Sequence, residues 1–273
     1  MAQTKLNILP LPTFGQLGVN FAERDVEGFE TEEISISPAD DRYILQFNYS
    51  DSTDRETVLR IAKDAKVKLV QVFGGTDRTV SKLSAVLDDS AELELIQLYI
   101  GGRDTVSDIA VALDGRRSAF RAHIGFDLAQ EDKLDINLNA VHTGKKSSSD
   151  IAVRGVLSDR SEKTFKGTID FRNGSAGAKG SEQEEVLLMS EKVRNKTVPV
   201  ILCAEEDVAG NHGATVGRID ERHIFYMRSR GIPEEKIYEL MARSKLMQII
   251  GRIGDEPTES RIFRALDWSD DNE

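Results

Sequence analysis

His212 and Cys203 stand nine residues apart in the stretch PVILCAEEDVAGNHGATVG. A neutral imidazole nitrogen and a thiolate sulfur are both good donors for transition metals, iron among them. Between them Glu205, Glu206 and Asp207 form an acidic turn, whose oxygens suit hard cations and equally suit solvent. Cys203 also closes the apolar run VPVILC, where a free cysteine serves as a small buried hydrophobe. His123 and His142 fall on polar strand faces or in a loop, and His223 in the first turn of a helix. None has a partner at ligand spacing, so these three read as structural or surface residues. Motifs for other chemistry are absent: no GxSxG elbow, no phosphate loop ending in Gly-Lys-Ser/Thr, no HExxH. Gly74-Gly75 and Gly101-Gly102 lack dinucleotide-loop spacing. No catalytic residue is indicated, and any ATP hydrolysis falls to a partner.

The elements that must position these residues are mostly strands. Phe120, Ala122, Ile124, Phe126 and Leu128 alternate with polar residues, as do Leu134, Ile136, Leu138 and Ala140, and Phe165, Gly167, Ile169 and Phe171. A period of two places successive side chains on opposite faces of a strand. Shorter apolar runs surround them: KVKLVQVF, ELELIQLYI, DIAVAL, DIAVRGVL, EEVLLM and VPVILC. Many short strands with glycine-bearing polar connections fit a sandwich, a barrel or a β-helix. Two strands per coil gives a coil of about 28 residues, within the range of solenoids, although no residue-by-residue repeat marks it.

After Gly217 the period becomes helical. Asp220 caps a helix over 221–230 that Gly231 stops, and Pro233 opens a second over 233–250, ended by Gly251, Gly254 and Pro257. SRIFRALDW precedes an acidic tail expected to fray. Residues 55–65, RETVLRIAKDA, carry Val58, Ile61 and Ala62 at helical spacing and predict a turn or two of helix. The resulting division is an N-terminal arm at 1–35, a β-helix core at 36–217 and a helical domain at 218–273.

Composition narrows the partners. The chain has 273 residues, 39% hydrophobic and 30% charged, with a net charge of −11. That acidity disfavours nucleic acid and anionic membrane surfaces. No apolar run approaches the roughly 20 residues that span a bilayer. The N-terminus lacks the pattern of a signal peptide, and the single cysteine excludes an intrachain disulfide. A cytoplasmic location is the expectation.

The segment from Pro199 to Ile253, through HGATVG at 212–217 and FYMRSRGI at 225–232, resembles the C-terminal region of the SufB/SufD family of iron–sulfur cluster assembly proteins. The resemblance implies a right-handed parallel β-helix, a single-stranded solenoid, followed by a small helical domain. It implies a scaffold working with a SufC-type ATPase docked on the C-terminal helices. It further implies pairing through the β-helix with a SufB-like subunit or with itself, and a transient iron–sulfur cluster near that junction. His212 matches the SufD histidine of the HGAT motif, a proposed cluster or iron ligand. SufB carries a glutamate after that histidine, where this chain has Gly213, and a cysteine near the position of Val193. Both departures make the chain SufD-like. Cys203 does not occupy the SufB cysteine position. Phe225, Arg228, Arg230 and Leu246 are the residues expected to meet the ATPase, in the manner of helices in grooves.

Two alternatives belong to other classes. One is a β-helix enzyme acting on polysaccharide, disfavoured by an aromatic content of 6% and a single tryptophan. The other is an adaptor that binds the ATPase without touching iron.

Overall fold

A computed structural model describes residues 3–13, 15–48, 54–75 and 78–266; the acidic tail lies outside the described residues. An antiparallel ribbon of β1 (Gln3–Leu6) and β2 (Ala22–Asp25) comes first. The strands β3 (Glu30–Ile36), β4 (Asp41–Asn48), β5 (Arg55–Ile61), β6 (Lys66–Gly75), β7 (Arg78–Leu87), β8 (Glu92–Gly101) and β9 (Asp104–Leu113) follow. Next come β10 (Ala119–Leu128), β11 (Lys133–His142), β12 (Ser148–Leu157), β13 (Glu162–Phe171), β14 (Ala178–Leu188), β15 (Arg194–Cys203) and β16 (Val208–Gly217). Three helices follow among the described residues: α1 (Glu221–Ser229), α2 (Glu234–Ile250) and α3 (Glu256–Ala265).

From β3 onward the strands divide by parity. Odd strands form one seven-stranded sheet and even strands another, each in sequence order and wholly parallel. Every coil therefore contributes one strand to each face, which makes a parallel β-solenoid and excludes the sandwich and the closed barrel. Ala119 stands on Glu92 and Ser148 on Ala119, steps of 27 and 29 residues, close to the period expected from strand spacing.

The repeat that residue identity hides is conformational. At the corners leading into the even sheet a left-handed residue recurs: Ala39, Asp64, Ser90, Arg117 and Lys146 have φ between 55° and 62°. The corners hydrogen-bond from coil to coil, Ser90 N to Arg116 O and Arg117 N to Lys145 O at 2.9 and 3.0 Å. Side chains at these corners point away from the core, so backbone geometry recurs while identity drifts.

Alternation sorts the strand residues into lumen and exterior. Leu95, Phe120, Ile136, Val153 and Phe165 belong to one continuous core inside the coils. On the exterior of the even sheet Val70, Val72, Ile96 and Leu98 pack under Leu246, Ile249 and Ile250 of α2 and Ile262 of α3. Gly125 permits that approach, because a Cβ there would fall 2.7 Å from Leu98 and 3.2 Å from Leu246 and Ile249. The arm covers the exterior of the odd sheet through Leu6 and Ala22 against Val80 and Val106. There Lys166 donates to the Asn7 carbonyl at 3.0 Å and pairs with Asp135 at 2.8 Å. Both appendages thus lie along the sides of the solenoid rather than over its ends. No helix is long and apolar enough to cross a membrane among the described residues.

Two sequence expectations change. Residues 55–61 form strand β5, not helix, with Thr57, Leu59 and Ile61 buried at a period of two between β3 and β7. Burial against two neighbouring strands outweighs a weak helical spacing. The odd sheet also begins at Glu30, inside the segment assigned to the arm.

Candidate functional site

Among the described residues nothing covers the last coil of the solenoid. β15 pairs only with β13 and β16 only with β14, so one edge of each faces solvent. All of β16 after Val208 is exposed. Its orientation follows from Gly210, where a Cβ would meet Phe171 and Ile201 across the lumen at 3.0 and 3.3 Å. His212 is two residues further on and shares that lumen-facing column. It stands in register on Glu182, as Ala214 stands on Glu184.

Beneath this mouth the lumen is charged. Lys163 is fully buried and forms an ion pair with the equally buried Glu184, whose other oxygen accepts from Thr197 Oγ1 at 2.6 Å. Glu182 is 2% exposed and accepts no hydrogen bond from any described residue. Its carboxyl reaches across to Gly167 on β13, where a Cβ would fall 1.9 Å from an oxygen. Burial, and then the charge of Glu184, push the Glu182 carboxyl up to about 7, partly offset by Lys163. Burial also lowers the Lys163 ammonium, against the pull of Glu184. Two carboxylates against one ammonium leave a surplus of negative charge, which a cation at the mouth would neutralise.

The predicted donors do not converge. Residues equidistant from the last corner face each other, as Gly210 and Ile201 do, so His212 lies opposite Pro199. Cys203 is at the far end of β15, about 13 Å along the strand from Pro199 at 3.3 Å per residue. It is exposed, and its thiol donates to the Glu205 carbonyl at 3.1 Å. Cys203 therefore does not join His212 in one site, and it is not the buried hydrophobe of the apolar run either. The Glu205 carboxylate is occupied by the Gly174 and Glu206 amides. Among the described residues no three His, Cys, Asp or Glu side chains gather as a metal-binding group.

His142 is structural, but it lies buried on the lumen face of β11 rather than on a polar face or in a loop: its ring nitrogens contact the Ser147 and Ser149 hydroxyls at 2.8 and 2.9 Å, and burial pushes it down to about 4. His123 is buried on the exterior of β10 beside Glu94, at 3.6 Å, and is likewise pushed down to about 4 by burial and by Arg252.

The helices separate the expected docking residues. Phe225 is 75% and Tyr226 57% exposed on α1, which buries none of its own residues. Arg228 pairs with Glu234 at 3.0 Å, and Arg230 stacks over the Tyr226 ring at 5.2 Å. Leu246, in contrast, is 1% exposed and belongs to the layer between α2 and the even sheet. It cannot meet a partner there; the space opened by Gly125 draws it inward. Sequence reasoning missed Glu182, Glu184 and Lys163. The signal was present in KGSEQEEV, where polar residues occupy both alternating faces of what proves to be a full strand.

Comparison with known proteins supplies the context. The iron–sulfur cluster assembly protein SufD of Bacillus subtilis is 31% identical over 127 residues, 46% of this chain and 29% of that protein. SufD of Escherichia coli is 29% identical over 111 residues, 41% of this chain and 26% of that protein. SufB of Bacillus subtilis is 26% identical over 107 residues, 39% and 23% of the two chains. The matched stretch spans less than a third of each relative. The family model described as "SUF system FeS cluster assembly, SufBD core domain" matches residues 42–245, from the second solenoid strand into α2. That match covers most of the chain and nearly all of its solenoid, and the chain belongs to the SufBD family of iron–sulfur cluster assembly.

Proposed function

We propose that this chain is a SufD-like scaffold subunit, cytoplasmic and without a catalytic step of its own, in a complex with a SufC-type ATPase and a SufB-like subunit or a second copy. The observation that carries this reading is the open C-terminal end. β16, VAGNHGATVG, has no charged residue over its whole length. A long uncharged edge with unpaired backbone groups is a template for another strand, and natural proteins usually blunt such edges. His212 faces the mouth of the lumen at that edge. An imidazole there donates to iron or to a nascent cluster, which is cargo, while the paired subunit and the cluster's own sulfides supply the remaining ligands.

The helices take the second task. Phe225 and Tyr226 form an exposed apolar surface next to Arg228 and Arg230, suited to an apolar groove with an acidic rim. Leu246 and its neighbours clamp α2 to β6 and β8 of the even sheet, so force applied at the helices is passed to the solenoid as a body. Family membership lends no support to a polysaccharide-acting enzyme.

The test is anaerobic co-expression with a SufB-like subunit and a SufC-type ATPase. Phe225→Asp is expected to abolish co-purification of the ATPase; removing 218–273 is the poorer choice, because it bares the apolar exterior of the even sheet. His212→Ala is expected to keep the complex intact and lower its iron and sulfide at least about tenfold, a loss of about 1.4 kcal/mol in binding. Unchanged iron and sulfide would leave only the adaptor role.

A further inference from the structure

We infer that Glu182 is a second donor beside His212, so that this chain contributes a two-ligand half-site for a divalent first-row metal ion, iron(II) foremost. The inference rests on the reading of His212 as a donor and adds the group beneath it.

Three observations carry it. First, register stacks His212 on Glu182 in one lumen-facing column. Neighbouring strands are about 4.8 Å apart, so the two side chains leave the backbone on adjacent rungs of one column. Second, Glu182 is 2% exposed yet accepts no hydrogen bond from any described residue, although Glu184, two residues along the same face, has Lys163 and Thr197. Its one nearby cation, Lys163, is shared with Glu184, and a buried carboxylate left short of compensation in this way is normally paired or metal-bound. Third, room is made for it. Gly167 leaves open the space where a Cβ would lie 1.9 Å from a Glu182 oxygen, although its lumen-facing neighbours on β13, Phe165 and Ile169, are large.

The Lys163–Glu184 pair sharpens the assignment. The ammonium is already engaged by Glu184, so the Glu182 charge stays available to the mouth. An imidazole with a carboxylate is a donor set of intermediate hardness, suited to iron(II), manganese(II) or zinc(II) more than to calcium or copper(I). Two donors do not enclose an ion. This agrees with the lack of a three-residue metal group among the described residues and leaves the other positions to a partner at the open edge.

The experiment uses the full chain and cobalt(II) as the probe, read from the imidazole NMR signals of its 4 histidines. Exposed His223, on α1, reports non-specific binding. Cobalt(II) is expected to move and broaden the His212 signal selectively. Glu182→Gln, nearly isosteric, is expected to raise the concentration required about tenfold. Gly167→Ala, which alters no donor but fills the carboxylate's space, is expected to do the same. Amide spectra that match the wild type outside the last two coils confirm folding. A His212 response unchanged in both variants overturns the inference and leaves the His212 reading intact. A His212 signal in the wild type that cobalt(II) does not move overturns it too, while iron and sulfide content in the complex still judges His212 separately.

Discussion

The two ends of the solenoid are built on opposite plans. At the N-terminal end the lumen is lined by amides that end on the rim carboxylate of Glu32, and the edge is charged. Gln46, Gln71 and Gln97 stack in register, each amide donating to the next at 2.7 Å, and Tyr99 closes the ladder onto Gln97 and Ser107. Along the outer edge β3 carries Glu30, Glu32 and Glu33. At the C-terminal end the lumen holds Lys163, Glu182 and Glu184, while the outer edge of β16 carries no charge. Between them Ile124, Phe126, Val153 and Phe165 fill the lumen with apolar side chains, so the two polar regions do not communicate through it. One end satisfies its own polar groups and repels further strands; the other keeps an unsatisfied carboxylate and invites pairing. The lesson is that both ends of a solenoid expose edges, and side-chain charge decides which edge is for use.

Acid should separate the two ends most strongly. His142 is buried in the lumen of the C-terminal half, in contact with the Phe171 ring. Its folded pKa, about 4, lies below the ordinary 6.5, so the unfolded chain binds the proton more readily. The stability it protects is complete above about pH 6.5 and is lost as pH falls toward 4, roughly 3 kcal/mol in all. In a Glu182→Gln background, which removes the opposite contribution of the raised Glu182 carboxyl, hydrogen exchange across that window should open β11 to β14 before β4 to β8, and adding His142→Gln should flatten the difference. Simultaneous opening of both halves would break the comparison.

Buried amide and buried carboxylate should then respond in opposite senses. Gln71→Leu strands the amides of Gln46 and Gln97 and should cost about 1–3 kcal/mol in denaturant unfolding. Glu182→Gln removes an unpaired charge and leaves Lys163 with Glu184, and should cost nothing or stabilise by about 1 kcal/mol. Equal losses would mean that the two ends are polar for the same structural reason.

The smallest effect is at the edges. Lysines placed at Ala209 and Thr215 should weaken pairing of scaffold subunits about tenfold by light scattering, about 1.4 kcal/mol. Lysines at Glu32 and Glu33 should leave pairing unchanged. Weakened pairing from the β3 substitutions would move the interface to the other end.

Much of this was readable in advance, and unevenly. The alternation in 120–128, 134–140 and 165–171 gives strands that the structure reproduces, because large apolar residues face the lumen there. Where the lumen face turns polar, the reading fails: β14 was visible only as EEVLLM although it begins at Ala178, and β5 looked helical. HGATVG located His212, but not what lies under it, since Glu182 is thirty residues earlier in the chain and becomes its neighbour only through coil register.

The amino-acid pattern alone determined that the chain alternates as strands to about residue 217 and then turns helical, and that a family motif spans the change. These are local properties, set by side-chain direction within one element. The tertiary structure decided the rest: which face of each strand is lumen, that Leu246 is buried and Phe225 bare, that Cys203 and His212 are apart, and that His212 stands on an unpaired carboxylate. Those facts depend on how many residues each coil takes, and coil length is fixed by stacking against the neighbouring coils rather than by any single segment.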